Sequence, residues 1–248
     1  MTGSADGARA GKGYRLVTVG LLVGEKMVEK SLPVFSFRQM IVDAVRENSV
    51  VVITAETGAG KSTQVPQFLM EEGYQVVVTQ PRRLAARTVA ERVAEEVGSK
   101  LGAEVGFRTA YERADSAETQ VLFCTDGLQL VREITGSGRA QVLVLDEVHE
   151  WNINIETLVA WTKRQIEAGW PVKVVLMSAT LEAERLAEFY GQDVPVIRVP
   201  GRQFPVEELS ASASSLIQTV KSLVDEERNV LVFQPGKKEI AETVEKLS

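Results

Sequence analysis

The stretch that decides the fold is VVVITAETGAGKST at residues 50–63. Residues 50–54 are β-branched and almost all apolar, which is typical of a strand that is buried on both faces. A glycine-rich loop follows, and the spacing of apolar residues then predicts a helix over residues 61–72. A strand, a loop and a helix in this order provide the frame that a phosphate-binding loop needs.

The loop AETGAGKS (55–62) is the phosphate-binding pattern with alanine in place of its first glycine. Its glycines let backbone N–H groups close around phosphate oxygens, and the start of the following helix adds a favourable dipole. Lys61 is expected to reach the β- and γ-phosphates, and the Ser62 hydroxyl to ligate Mg²⁺. The alternative, an ordinary glycine turn with a surface lysine, is disfavoured by the strand–loop–helix context. The residues expected to bind the cofactor in this loop are Glu56, Thr57, Gly58, Ala59, Gly60, Lys61, Ser62 and Thr63.

A second signal is DEVH at residues 146–149, which ends the apolar run QVLVL. Asp146 could hold Mg²⁺ directly or through water, opposite Ser62, and Glu147 could act as the general base that polarises an attacking water. An acidic pair after a strand is a weak signal alone, because strand ends often carry solvated carboxylates. Together with the phosphate-binding loop it indicates a catalytic and metal-binding pair, in which Glu147 is also a candidate metal ligand.

Composition excludes several classes of protein. The 248 residues include 28 basic and 34 acidic ones, a net charge of −6, so any binding to nucleic acid has to use a local patch. One cysteine and one histidine allow neither an internal disulfide nor a zinc site of the usual kind. No run of about 18 apolar residues predicts a membrane span. We therefore expect a cytoplasmic protein, with the nucleus as the other possible compartment.

Strand and helix patterns alternate along the middle of the chain, which predicts an α/β fold: a parallel sheet with helices on both faces. The expected strands are 50–54, 75–80, 119–124, 141–146, 172–177 and 194–199, and the expected helices are 36–48, 61–72, 83–97, 126–135, 155–168 and 182–190.

The two ends of the chain differ from this middle part. Residues 1–30 are expected to be a partly flexible arm, although 14–23 could also be a strand. A helix, a strand at 229–234 and another helix are expected within residues 210–248, too few elements to enclose a core of their own. This segment is either the truncated start of a second α/β domain or a flap that packs on the first domain, which spans 31–209.

Several motifs in order give the chain a family resemblance. DEVH is a variant of the DEAH signature, and the chain resembles the DEAH/DExH-box RNA helicases of superfamily 2 over residues 32–248. The other motifs that carry the resemblance are LPVFSFRQ (32–39), TQPRRLAARTVAERVAEE (79–96), TDGLQL (125–130), SAT (178–180), PGRQFPVE (200–207) and LVFQPGKKEI (231–240). The resemblance implies a RecA-like P-loop NTPase fold, with ATP or another NTP and Mg²⁺ as cofactors.

The resemblance also implies roles for residues that carry no signal alone. His149 would link the catalytic site to a second domain, although a polar residue at a strand end is the simpler interpretation. Ser178 and Thr180 would couple the nucleotide state to movement of the nucleic acid strand. Arg92 would stack on the nucleotide base, which suits a planar guanidinium and is indifferent to the base. Its alternative is a solvated helix face.

For nucleic acid, the resemblance places Arg82, Arg83 and Thr125 against the sugar–phosphate backbone, where contacts position a strand without reading its sequence. A charge ladder along one helix is the alternative for Arg83 and still more for Arg87, because Glu91 and Glu95 continue that face. The implied partners are single-stranded RNA or an RNA duplex with an overhang, the remaining helicase domains and a protein activator.

The chain departs from the family pattern at several points. Ala110 stands where relatives often carry arginine, and Trp151 replaces the arginine usual after DEAHE. No Gln-Arg-x-Gly-Arg pattern follows residue 200, so the family's arginine fingers are not expected from this chain. Two interpretations stay open: an NTP-hydrolysing RNA helicase core, or a nucleotide-gated RNA-binding module without productive hydrolysis if the chain is complete. An unrelated phosphate-loop ATPase is disfavoured by TQPRR, TDG and PGRQFPVE.

Overall fold

The computed structural model describes residues 32–138, 140–179, 183–191, 193–201 and 216–247. Residues 32–201 belong to one compact unit and residues 216–247 to another. The expectations for the arm at 1–30, for a strand at 14–23 and for Thr180 lie outside the described residues.

The larger unit is built on an eight-stranded sheet, which confirms the predicted α/β class. Its strand order is β4-β3-β5-β2-β6-β7-β1-β8, and every pair is parallel except β3 with β4. The strands are β1 Val50–Ala55, β2 Val76–Gln80, β3 Val105–Arg108, β4 Arg113–Ala114, β5 Val121–Thr125, β6 Val142–Leu145, β7 Lys173–Ser178 and β8 Val196–Val199.

Helices cover both faces of this sheet, as the apolar strands predict. One face packs against α1, α2 and α3 and the other against α4, α5 and α6, so the central strands are buried from both sides. The helices are α1 Arg38–Glu47, α2 Lys61–Glu71, α3 Arg83–Glu96, α4 Asp126–Ile134, α5 Ile153–Glu167 and α6 Ala183–Tyr190, with short 3₁₀ turns at Pro33–Phe37 and Val148–Glu150. Within the described ranges, no helix is both long enough and apolar enough to cross a membrane.

Residues 105–108 and 113–114 form β3 and β4, although neither range is among the strands expected from the sequence. Gly106 and Arg108 interrupt the apolar pattern of the first range, but β3 pairs with β5 and Phe107 is buried in the core. A Cβ atom at Gly106 would lie 2.5 Å from the Ala114 carbonyl oxygen, so only glycine allows β4 to fold back this closely. Tertiary pairing therefore decides a segment whose local pattern is weak.

The prediction of a strand at residues 229–234 is wrong for the structure as described. Those residues lie between α7 Leu216–Asp225 and α8 Lys237–Leu247 without strand pairing, and Leu231 and Phe233 are exposed. A strand is stabilised by hydrogen bonds to a neighbouring strand, and none exists among residues 216–247 to supply them. The assignment of residues 210–248 to a second domain stays a prediction.

Candidate active site

The candidate site lies where parallel strands end at one edge of the sheet. β6, β7 and β1 are neighbours, with Leu145 beside Leu176 and Thr54 beside Ser178. The chain leaves β1 into the glycine-rich loop and leaves β6 directly into Asp146 and Glu147. Sheet topology therefore brings together two motifs that are more than 80 residues apart in sequence.

Two glycines give the loop its path. Gly58 has φ of 85° and Gly60 has φ of 90°, which L-residues with a side chain rarely adopt. A Cβ at Gly60 would also lie 2.9 Å from Cδ1 of Leu32, whereas Gly58 faces open space. Gly60 is thus required by both backbone conformation and packing, and Gly58 by conformation alone.

The structure separates the loop residues that face the cavity from those that hold the loop in place. Ala59 is buried, its N–H donates to the Glu56 carbonyl at 3.2 Å, and its own carbonyl accepts the Val34 N–H at 3.2 Å. A cavity of about 340 Å³ opens in front of the loop. It is lined by Leu32, Thr57, Gly58, Gly60, Lys61, Ser62, Thr63, Arg92, Glu96 and Glu147. Ala59 therefore anchors the loop and is not part of the cavity wall.

Lys61 is the first residue of α2 and is only 5% exposed. Its Nζ lies 3.1 Å from Oε1 of Glu147. Glu147 adopts a left-handed backbone conformation, φ 53°, in the turn after β6, and its N–H donates to Asp146 Oδ1 at 2.8 Å. A buried ammonium paired with a partly exposed carboxylate at a cavity wall can exchange that carboxylate for phosphate oxygens.

Asp146 is buried, 1% exposed, and both of its oxygens accept a hydrogen bond. Gln80, at the end of β2, donates its Nε2–H to Oδ2 at 2.7 Å, and the Glu147 N–H donates to Oδ1 at 2.8 Å. The Ser62 hydroxyl lies near this carboxylate and favours its charged form. Burial raises the pKa of Asp146 to about 6, and the Lys61 charge opposes that rise. Oxygens of Asp146 and Ser62 meeting beside a phosphate-sized cavity are the donor type that Mg²⁺ prefers, so this chain's residues fit the metal.

His149 joins the turn after β6 to the turn after β7. Its Nδ1 accepts the Ala179 N–H at 3.3 Å and lies 3.4 Å from Glu147 Oε2. Because Nδ1 is the acceptor in the first contact, a neutral ring in this orientation carries its hydrogen on Nε2. Ser178 is buried at the end of β7, so His149 reaches the same segment as the SAT motif.

Arg92 reaches the cavity from α3. Its guanidinium is half exposed, and Nε donates to Glu96 Oε1 at 2.5 Å. The structure thus brings the residue expected to stack on the base to the wall of the phosphate cavity. Neither Glu96 nor Gln80, the donor to Asp146, is among the site residues expected from the sequence. Gln80 and Asp146 are 66 residues apart, so no local pattern links them. Arg92 and Glu96 are an i,i+4 pair on α3, and this spacing is the one local signal for Glu96.

The three residues expected to bind nucleic acid lie at the ends of β2 and β5, which are paired through Gln80 and Thr125. Arg82 is largely exposed and its guanidinium lies 3.2 Å from the Glu150 carboxylate, while Arg83 stacks 4.9 Å from the Tyr111 ring centroid. Arg87 instead pairs with Glu91 at 2.8 Å and with Glu112 at 3.1 Å, as the charge-ladder alternative predicts. For Arg83 the observed contact is aromatic.

Comparison with known families decides the class of the protein. Residues 36–189, more than half of the chain, match the family model of the DEAD/DEAH box helicases. The chain belongs to the DEAD/DEAH box helicase family. As a helicase of this family it carries an NTP-binding core, and the family generally binds ATP with Mg²⁺ and acts on nucleic acid together with further helicase domains. The matched range contains the loop, the Asp146–Glu147 pair and the three nucleic-acid candidates.

Proposed function

We propose that residues 32–201 form the nucleotide-binding and hydrolysing core of a DEAH/DExH-type RNA helicase, which couples Mg-NTP hydrolysis to movement on RNA or to its unwinding. The observation that carries the proposal is the run of contacts from Asp146 through Glu147 to Lys61, beside Ser62 at the mouth of a glycine loop. The motifs TQPRR, DEVH and PGRQFPVE support the DEAH/DExH subtype and, through it, RNA as the nucleic acid.

The network suggests how the residues work. Lys61 pairs with Glu147 at 3.1 Å and exchanges this partner for β- and γ-phosphate oxygens when a nucleotide binds. The exchange releases the Glu147 carboxylate, which can then accept a proton from the attacking water. Ser62 and Asp146 would hold Mg²⁺, which neutralises charge on the phosphate oxygens when it is bound. The glycine loop supplies backbone N–H donors to the same oxygens.

The remaining site residues take supporting roles in this proposal. Arg92 stacks on the base without hydrogen-bonding to its edge, so ATP and other NTPs are accepted alike. Arg82, Arg83 and Thr125 contact the RNA backbone and not the bases. His149, through Ala179, and the neighbouring Ser178 connect the γ-phosphate end of the site to the SAT motif, which also contains Thr180. This connection couples nucleotide state to RNA contact.

A second candidate is a nucleotide-gated RNA-binding module without productive hydrolysis. It would apply if these 248 residues act without a further domain, because residues 201–248 contain no Gln-Arg-x-Gly-Arg pattern. In phosphoryl-transfer enzymes an arginine finger contributes about 10³–10⁵ in rate. Lys61 and the Arg82–Arg83 pair are already committed elsewhere in the proposal, so they do not replace it.

Phosphate release separates the two candidates. The 248-residue chain is expected to hydrolyse NTP near background with or without RNA, because charge compensation in the transition state is missing. The chain fused to a second helicase domain with a Gln-Arg-x-Gly-Arg segment is expected to recover RNA-stimulated turnover and to lose it with Glu147→Gln. Equal stimulation by single-stranded DNA would remove the assignment to RNA. A fusion that stays inactive while it binds NTP and RNA would favour the second candidate.

A further inference from the structure

A buried carboxylate in the cavity wall has no part in the mechanism above. Glu96, the last residue of α3, has a side chain that is 5% exposed, while its neighbour Glu95 is 77% exposed. An unpaired carboxylate at such a depth is costly, so its partners are informative. One of its oxygens is bound by two side chains of α2 and the other by Arg92, which lies at the cavity wall.

One oxygen of Glu96 is bound from the helix that follows the phosphate-binding loop. Oε2 accepts hydrogen bonds from Nε2 of Gln64 and from Nε2 of Gln67, each at 2.7 Å. The same two amides also bind Thr63, Gln64 through the Thr63 hydroxyl at 3.1 Å and Gln67 through the Thr63 carbonyl at 3.0 Å. These contacts therefore fix Glu96 to the first turns of α2, where Thr63 lies two residues after Lys61.

The other oxygen of Glu96 holds Arg92, whose Nε donates to Oε1 at 2.5 Å. Arg92 Nη1 lies 3.6 Å from the exposed Glu95, a longer and more solvated contact. A bond at Nε fixes the plane of the guanidinium, because Nε, Cζ and both Nη atoms are coplanar. The half-exposed Arg92 side chain is thus oriented by Glu96 from its buried side, at the wall of the nucleotide cavity.

We propose that Glu96 is a positioning residue for the nucleotide base: braced by Gln64 and Gln67, it sets the Arg92 guanidinium in the plane that stacks on the base. The inference rests on the proposed function, since it needs Arg92 to contact the base. A long arginine side chain that is already ordered loses less conformational freedom when the nucleotide binds. Glu96 thereby increases affinity for the nucleoside part of the ligand and leaves affinity for its phosphates unchanged.

Two other roles for Glu96 give different results. If its negative charge acts mainly on the phosphates, then its removal strengthens binding of every anionic ligand. If it serves mainly to hold α2 against α3, then its removal disturbs the loop and weakens every ligand together. A ligand that has the phosphates but no base separates these roles from positioning.

The test compares Glu96→Gln, with Glu95→Gln as the matched control, for binding of ATP, GTP, CTP and UTP and of inorganic tripolyphosphate, all with Mg²⁺. Positioning predicts that Glu96→Gln weakens all four nucleotides about three- to tenfold, the range expected for the loss of one ordinary hydrogen bond, and changes tripolyphosphate less than about twofold. Glu95→Gln is expected to change neither class of ligand by more than about twofold. In an Arg92→Ala background Glu96→Gln should have no further effect on nucleotides.

Equal changes for nucleotides and tripolyphosphate, or an undiminished effect of Glu96→Gln in the Arg92→Ala background, would overturn the inference. If Glu96→Gln lowers the melting temperature too far for titration, Arg92→Lys replaces it, because lysine keeps the charge but lacks the Nε–H donor. It should show the same nucleotide-specific loss, and no loss would count against the inference. If the wild-type chain binds neither ATP nor tripolyphosphate in a Lys61-dependent manner, the proposed function itself fails. Lys61-dependent binding without a Glu96 effect refutes only the positioning role.

Discussion

On the nucleotide side of the sheet edge (Lys61, Ser62, Asp146 and Glu147), Glu147 contacts both Lys61 and Asp146, and Ser62 lies beside them. Lys61 and Asp146 are almost fully buried. On the nucleic-acid side (Arg82, Arg83 and Thr125) the Arg82 side chain is 73% exposed, and each arginine has its own separate partner. The two sides lie at the ends of neighbouring strands of one sheet, yet they are built in opposite ways.

The difference follows from what each side has to recognise. Phosphates and Mg²⁺ at a reacting centre require fixed geometry, and burial strengthens electrostatic interactions while it makes an unpaired charge costly. A nucleic acid backbone that moves along the protein requires weak and replaceable contacts, which exposed arginines provide. We therefore expect replacements on the nucleotide side to have large, coupled effects and replacements on the nucleic-acid side to have small, additive ones.

Lys61→Ala is expected to give the largest effect, at least about a 30-fold loss of Mg-ATP affinity, because truncating one member of a buried charged contact costs about 2–5 kcal/mol. Titration of a fluorescent ATP analogue measures it. Lys163→Ala is the matched control, since Lys163 is a partly exposed lysine on α5 that bonds to the Phe189 carbonyl. A loss of less than about threefold with Lys61→Ala would remove the distinction between the two sides.

Asp146→Asn is expected to separate stability from function. Because burial raises the pKa of Asp146 from 3.8 to about 6, the folded state binds this proton more tightly than the unfolded state does. The contribution of the protonated Asp146 to the free energy of unfolding is complete below about pH 4 and is lost as the pH rises through about 6. At pH 7.5 the ionised carboxylate therefore lowers the free energy of unfolding by up to about 3 kcal/mol. Asparagine removes this cost, and the melting temperature without nucleotide should rise by several degrees while stabilisation by Mg-ATP disappears.

Thermal melting of Asp146→Asn between pH 4 and pH 8 checks both parts. Asp115→Asn is a useful comparison, because Asp115 is also nearly buried but is bound by both Nε and Nη2 of Arg108. Its replacement is expected to lower the melting temperature. An Asp146→Asn protein that is less stable at pH 7.5, or that keeps its stabilisation by Mg-ATP, would contradict this description of the nucleotide side.

The double replacement Arg82→Ala and Arg83→Ala is expected to give the smallest effect, a loss of several-fold in affinity for single-stranded RNA at low salt. Two fewer phosphate contacts should reduce the slope of log affinity against log salt by about 1.4, and two unrelated RNA sequences should respond alike. Fluorescence anisotropy at two or more salt concentrations measures both quantities. Arg46→Ala on α1, which removes another exposed arginine, paired with Asp43 and Glu72, is the control. An unchanged slope in the double variant would show that this patch does not bind RNA.

Sequence alone predicted the parts of the molecule whose signals are local. The run at 50–54, the glycine loop and the helix from Lys61 occur as expected, since a buried strand, a tight turn and an amphipathic helix each have their own pattern. The observed helix boundaries differ from the expected ones by one or two residues, as at a helix start that is fixed by a capping side chain. α5 begins at Ile153, earlier than expected, because the Asn152 side chain accepts hydrogen bonds from the Asn154 and Ile155 N–H groups.

What sequence could not predict depends on partners far away along the chain. β3 forms at Val105–Arg108 because β5 pairs with it, and the equally β-like run at 229–234 forms no strand because no neighbouring strand exists among residues 216–247. The donors Gln80 to Asp146 and Gln64 to Glu96 are likewise invisible in local patterns. The motifs located the site, whereas the contacts that determine its electrostatics required the fold.

Above all, we expect this chain to hold a Mg²⁺-dependent nucleotide site between its glycine loop and the Asp146–Glu147 pair. Calorimetric titration of the 248-residue chain with a non-hydrolysable ATP analogue, once with Mg²⁺ and once with EDTA, tests it most directly. We predict one site per chain and at least about tenfold weaker binding in EDTA, because Ser62 and Asp146 then hold no cation against the phosphates. No saturable binding up to millimolar analogue, or equal affinity with and without Mg²⁺, would contradict the claim.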